Sequence, residues 1–270
     1  MASRKTLDSP DHYTIGWIAA LDIELAAATA MLDEEHEQPR GFARHETDKN
    51  VYAWGQMGHH AIVIACLPAG RYGTSLAATT ASSLLASLPQ IKIGLLVGIG
   101  RGIARPDENR DIRLGDIVVS QPDGTTGGVC QHDLFKAKSG DNRELFYIRR
   151  PSNVPDLLQR MLVKNPNMGK NTKQSPEVQR NKRITINPEI HYGIIASGNT
   201  FVIDAAARDR LVADIGEDYL CVKMEAAGLM DYFPCLKLYA AATTATYAKE
   251  FLTFVPAAEV KVAKRILDVF

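Results

Sequence analysis

"IKIGLLVGIGRGI", residues 91–103, is an almost unbroken apolar run that ends among glycines at 98, 100 and 102. A strand apolar on both faces needs a covering layer on each side, which is the setting of a central strand in an α/β sheet. The same grammar recurs on either side of it. "YTIGWIAAL" (13–21) is a short β-branched strand, and the "DIELAAATAMLDEE" that follows predicts a helix burying Ile23, Leu25, Ala26, Met31 and Leu32. "KNVYAWGQMGHHAIVIACLP" (49–68) reads as two strands about Gly58, and "GTSLAATTASSLLASLP" (73–89) as a small-residue helix stopped by Pro89. "RLGDIVVSQP" (113–122) and "IHYGIIASG" (190–198) read as strands, and "NVPDLLQRMLVKN" (153–165), "DAAARDRLVADIG" (204–216) and "KMEAAGLMDYF" (223–233) as helices. Strands that alternate with helices throughout predict a three-layer α/β sandwich. Residues 1–12 are expected to form a polar tail and 13–270 a single domain. Within it, "KNPNMGKNTKQSPEVQRNKR" (164–183) is basic and short of apolar residues, hence an exposed loop.

Composition narrows the function. The 270 residues carry 31 Lys and Arg against 31 Asp and Glu, so nothing recommends a nucleic acid or an anionic membrane as partner. Four cysteines, without C-x-x-C spacing, read as buried free thiols of a reducing compartment rather than as disulfides or a zinc site. The opening "MASRKTLDSPDHY" has no apolar stretch, and no run of about 18 apolar residues follows, so a cytoplasmic protein is expected. No metal motif is present.

Three strands end in glycine-rich or acidic turns: "AALDIELA", "LLVGIGRG" and "IIASGNTF". In open α/β sheets ligands gather beyond the carboxyl ends of the strands, so these turns are expected to share one cleft. Gly98, Gly100 and Gly102 would let backbone N–H groups cradle an anion or a sugar oxygen, or merely make a tight turn. Their G-x-G-x-G spacing is not the dinucleotide fingerprint, which excludes NAD. Glu24 and Glu225 stand near the starts of apolar helices, where each acid either pairs with an arginine or serves a ligand.

Taken in order, "IGWIAALDIELAA", "LPAGRYGTSLAAT", "LLVGIG" followed by "RLGDIVVS", "SGNTFV" and "VKMEAAGLM" resemble the nucleoside phosphorylase/nucleosidase superfamily. That group holds the purine and uridine phosphorylases and the methylthioadenosine/S-adenosylhomocysteine nucleosidases; the nearest flavour is the version in fungal NLR-like proteins. The resemblance spans about residues 13 to 252 and implies an α/β/α sandwich with a mixed, partly closed sheet. It implies cleavage of the N-glycosidic bond of a purine nucleoside by water or phosphate, releasing free base and ribose or ribose 1-phosphate. The expected protein is a homo-oligomer that needs no cofactor, with inorganic phosphate as co-substrate only in a phosphorylase.

Carried over residue by residue, Glu225 matches the glutamate that grips the ribose 2′- and 3′-hydroxyls, and Met224 the methionine on the ribose face. Phe201 falls where an aromatic stacks on the base, and Val222 and Asn199 lie in the same binding motifs. Glu24 matches the acid that orients or deprotonates the attacking water. Gly98, Ile99 and Gly100 form the turn near that water or near phosphate, with Ile99 where nucleosidases place a serine. The upstream arginine of phosphorylases has no counterpart; Arg71 or Arg101 are the candidates to replace it, and hydrolysis is favoured. Lys223 stands where relatives often carry another acid. After Pro234 the chain is expected to pass almost directly into the last helix. The strand carrying the base-protonating aspartate would then be missing, unless "CLKLYA" serves as a shortened strand. That loss motivates the alternative of a catalytically impaired nucleoside-binding or signalling module.

Overall fold

The computed structural model describes residues 3–105, 111–122, 127–133, 135–137, 143–145, 148–149, 156–164, 188–199, 219–230, 233–239 and 242–269. Its first half is the alternating unit the sequence predicts. Strand β1 (Tyr13–Ala19) leads into helix α1 (Asp22–Ala30), and the short β2 (Glu34–His36) into the hairpin of β3 (Val51–Met57) and β4 (His60–Cys66). Gly58 turns that hairpin at a φ of 57°, a conformation that costs glycine nothing. Helix α2 (Thr74–Ser87) then precedes β5 (Ile93–Gly98) and the two-residue β6 (Arg101–Gly102). The second half contributes β7 (Ile117–Ser120), β8 (Val129–Gln131), β9 (Phe135–Ala137), β10 (Arg143–Leu145) and β11 (Ile148–Arg149). Helix α3 (Asp156–Lys164), β12 (Ile190–Ser197), β13 (Tyr219–Lys223) and β14 (Cys235–Tyr239) follow, with closing helices at Ala242–Phe254 and Ala257–Val262.

Twelve strands form one mixed sheet along the path β11-β8-β12-β7-β14-β5-β1-β4-β3-β2, from which β13 and β6 branch off. Strand β12 pairs with β7 through its first half, with β8 through its second, and with β13 on its other side. Strand β13 pairs in turn with β6, which resumes the chain of β5 after Ile99 and Gly100. The ladders run from β5 through β14, β7, β12 and β13 to β6, but β6 does not pair back onto β5, so the mixed sheet is unclosed where partial closure was expected, with β2 and β11 as separate ends.

Two apolar cores lie on the two faces. Ala77, Ala81, Leu84 and Leu85 of α2 pack with Ile18, Val63 and Leu96 on one. Ala28 of α1, with Tyr247, Ala248 and Phe251 of the Ala242–Phe254 helix, packs on Ile15, Trp17 and Leu95 on the other. That is the three-layer arrangement.

Three expectations fail locally. Ile23 is 66% exposed, and α1 turns Glu24 inward instead. "KMEAAGLMDYF" is no helix: its first residue ends β13, and only a 3-10 turn, Ala226–Leu229, follows. Nor is a central strand lost after Pro234. Strand β14 runs parallel to β5, from Cys235 beside Gly94 to Tyr239 beside Gly98, and antiparallel to β7. "CLKLY" alternates with period two, so Leu236 and Leu238 enter one core and Cys235 and Tyr239 the other. Most of the basic stretch at 164–183 and the predicted helix at 204–216 lie outside the described residues.

Candidate active site

The carboxyl ends of β1, β5, β13 and β14 meet in one buried cluster of charge. Glu24, in the first turn of α1, folds back onto the backbone it follows: one carboxylate oxygen accepts from the N–H groups of Ala20 at 2.7 Å and Leu21 at 3.2 Å. The other accepts from Ile99 N–H at 2.6 Å and from the Lys223 ammonium at 3.1 Å. A charged acceptor holding several donors is the strong form of hydrogen bond. Gly98 makes room for it, since a Cβ there would lie 2.5 Å from a Glu24 oxygen. The glycine turn therefore does cradle an anion, but the anion is the protein's own Glu24.

Glu225, 3% exposed, stands just after β13 at the start of the 3-10 turn. That turn is pinned to β12 by Ala227 N–H donating to Ser197 Oγ at 2.9 Å. Glu225 Oε2 lies 3.2 Å from Lys223 Nζ, within ion-pair reach but off the line of a hydrogen bond. This buried oxygen thus has no hydrogen-bond donor among the described residues. Lys223 sits between the two acids and also lies 5.7 Å from the centre of the Tyr239 ring, close enough for a cation–π contact. Burial alone would push the Lys223 ammonium pKa down, but the charges of Glu24 and then Glu225 outweigh it and raise it above 10.5. The lysine is charged, and the cluster as a whole keeps one negative charge in excess.

Of the residues singled out from sequence, the structure gathers Glu24, Gly98, Ile99 and Glu225 into this cluster, with the partly buried Met224 between Lys223 and Glu225. Gly100 borders it, because a Cβ there would meet Tyr239 Cβ at 2.9 Å. Val222 instead joins an apolar group with Ile103, Cys130, Ile194, Ala196 and Tyr219. The Asn199 side-chain oxygen is spent on α2, accepting from Thr74 N–H at 3.0 Å and Thr74 Oγ–H at 3.2 Å. Arg71 and Arg101 are exposed, and Arg101 lies in β6 beside Val222 of β13. Phe201 lies outside the described residues. All four cysteines are buried and free, as expected. Among the described residues no group of three His, Cys, Asp or Glu is placed to hold a metal, and no helix is long and apolar enough to cross a membrane.

Sequence reasoning missed two members, the bridging role of Lys223 and the place of Tyr239. No local pattern signalled the first: β13 ends at Lys223 and Glu225 is already in a helical conformation, so the two side chains meet through the bend between them.

This architecture has close counterparts among solved structures. The methylthioadenosine/S-adenosylhomocysteine nucleosidase of Colwellia psychrerythraea, in complex with adenine, superposes with a TM-score of 0.60 at 16% identity, covering 94% of this chain and 98% of its own. The Neisseria meningitidis enzyme of the same name, bound to methylthio-immucillin-A, gives 0.57 at 15% identity over 89% and 97%. Futalosine hydrolase of Helicobacter pylori gives 0.54 at 17% identity over 97% and 100%. The fold is that of the nucleosidases. By sequence, an NLR-like protein of Hyaloscypha variabilis is 34% identical over 94% of this chain. The chain spans only 30% of that relative's length. The match runs over 313 positions although the chain has 270 residues, so the relative carries residues that this nucleosidase-fold chain lacks. No protein-family model matches.

Proposed function

We propose that this chain hydrolyses the N-glycosidic bond of a purine ribonucleoside. The observation that carries the reading is a pair of buried acids, brought from two separate strand ends, of which one has every oxygen engaged and the other presents an oxygen without a donor among the described residues. Glu225 Oε2 is suited to accept the hydroxyl protons of a ribose, as a carboxylate can from both members of a diol. Glu24 is suited to receive the proton of a water molecule that attacks C1′. As the C–O bond forms, the C1′–N bond breaks and its electron pair leaves with the base, which takes up a proton from solvent while Glu24 returns the proton of the water to solvent. The excess negative charge supports water over phosphate, because a phosphate dianion entering beside two carboxylates and one ammonium would be repelled.

The test is release of free base from adenosine, inosine and methylthioadenosine, with and without phosphate. Release independent of phosphate and abolished in Glu24→Gln is expected; a folded protein that releases none from any of the three refutes the reading.

A second reading has its own observation. Between Tyr239 and Lys249 the chain reads "YAAATTATYAK", without a carboxylate to protonate the leaving base. General-acid assistance is worth about 10²–10⁴-fold. A module that binds a nucleoside without cleaving it is then the alternative, diagnosed by calorimetric binding of adenosine, weakened in Glu225→Ala, with no base released.

A further inference from the structure

Around Lys223 the structure leaves two polar groups unmet, and they are complementary. Among the described residues Glu225 Oε2 is an acceptor without a donor, and the Tyr239 hydroxyl, in a side chain only 1% exposed, has no hydrogen-bond partner. Tyr239 is the last residue of β14 and pairs with Gly98 of β5. Residues side by side on parallel strands point to the same face of a sheet. The absent side chain of Gly98 points at the Glu24 carboxylate, so Tyr239 projects on the face where Glu24 stands. A Cβ on Gly100 would meet Tyr239 Cβ at 2.9 Å and Cys221 Sγ at 3.4 Å, and the Lys223 ammonium lies 5.7 Å from the ring centre. Burial, foremost, then the neighbouring Cys221 and Cys235, and after them Glu225 and Glu24, hold the phenol pKa well above 10, so the hydroxyl keeps its proton. The Lys223 ammonium donates to Glu24 and is paired with Glu225 by charge alone, which leaves Tyr239, among the described residues, as a donor with no acceptor.

We propose that Tyr239 is a catalytic residue of this site, donating its O–H to a hydroxylic oxygen held between Glu24 and Glu225. This rests on the nucleoside reading above and adds to it. The oxygen is that of a water or of a sugar hydroxyl: either can give a proton to Glu225 or Glu24 while accepting one from Tyr239, which satisfies both unmet groups at once. A buried donor and a buried acceptor left unmet in the same cluster each cost stability, a cost recovered only when such a ligand arrives.

Tyr239→Phe removes the one hydroxyl and keeps the ring. In the protein without ligand it is expected not to lower the melting temperature, because no bond is lost; a structural hydroxyl would lower it. Turnover of adenosine, or its binding if the protein does not cleave it, is expected to fall at least about tenfold, the effect of a single hydrogen bond. A drop in kcat at constant KM assigns the oxygen to the attacking water, and a matching loss of nucleoside affinity assigns it to the sugar. Affinity for free adenine, which carries no such oxygen, stays unchanged. A variant equal to the parent in turnover and nucleoside binding overturns the assignment, as does one that melts lower and loses adenine and adenosine affinity alike. A parent protein that neither binds nor cleaves any nucleoside overturns the function itself, and this assignment with it.

Discussion

Glu24 and Glu225 are both buried glutamates at strand ends, both within about 3 Å of the same ammonium, yet they live in opposite conditions. Glu24 is served by three backbone N–H groups and by Lys223, so its position is fixed by the strands on which those groups ride. Glu225 is served by charge alone and keeps an oxygen unmet. A carboxylate locked by the fold and one left open to a ligand are what two different tasks require: holding a reactive water in place, and closing on a sugar that comes and goes. The contrast also explains why the lysine is tolerated. An uncompensated pair of buried carboxylates would be costly, and one ammonium between them removes most of that cost.

The largest effect should follow from breaking both relations at once. Lys223→Met leaves two buried acids without their cation. Removing one partner of a buried ion pair typically costs about 3–5 kcal/mol, so urea unfolding should place the variant that far below the parent. A change under about 1 kcal/mol would mean that the acids are not truly buried together.

The comparison is sharpened by the same conservative change made at each acid. Glu24→Gln turns an amide N–H toward backbone donors that need an acceptor, and is expected to lose about 1–3 kcal/mol in stability. If turnover is present it should fall by about 10²–10⁴, the usual weight of a general base. Glu225→Gln breaks no hydrogen bond to the unmet oxygen and leaves Lys223 still paired with Glu24, so, unlike Lys223→Met, it strands no charge and its stability should stay within about 1 kcal/mol of the parent. Its affinity for nucleosides should nevertheless drop by about tenfold or more while affinity for free adenine holds. Equal stability losses in the two variants would erase the distinction between a locked and an open acid.

How much of this could be read from the chain follows the range of the interactions. The strand–glycine stretch at 91–103 and the two glutamates were legible because each is a local pattern: a two-faced apolar run, an acid in a first helical turn, an acid in an apolar setting. The direction of α1 was not. Its residue types suggest that Ile23 faces inward, but Ile99 N–H and Lys223, respectively 75 and 199 residues away, draw Glu24 in and leave Ile23 at 66% exposure. Likewise "KMEAAGLM" is rich in good helix formers, yet its first residue completes a strand paired to β12, and tertiary pairing overrides the propensity. The strand at 235–239 was legible only as an alternative, "CLKLYA" serving as a shortened strand, because Lys237 interrupts its apolar run and alanines follow it at once. Only the period-two placement of Leu236 and Leu238 marks it, and the sheet confirms it by burying that lysine completely.

The smallest expected effect separates the lysine from the rest of the molecule by pH. Lys223 has a folded pKa above 10.5, so its contribution is present in full below the unfolded value, about 10.5, and fades as pH rises through the higher folded one. Buried thiols act earlier. Burial holds Cys66 at about 11 and Cys221 at about 12 against an ordinary 9.0, so the unfolded chain ionises first and stability begins to fall from about pH 9 whatever stands at position 223. Wild-type stability alone would therefore blur the two. The difference between the parent and Lys223→Met removes the Cys66 part, which both share, while Cys221, which the Lys223 charge itself holds lower, separates the two only near its folded value of about 12. That difference should stay level from neutral pH to about pH 10 and narrow only beyond 10.5 in denaturant titrations. Narrowing that begins near neutrality would mean that the ammonium loses its proton early, and that the two carboxylates do not hold it between them.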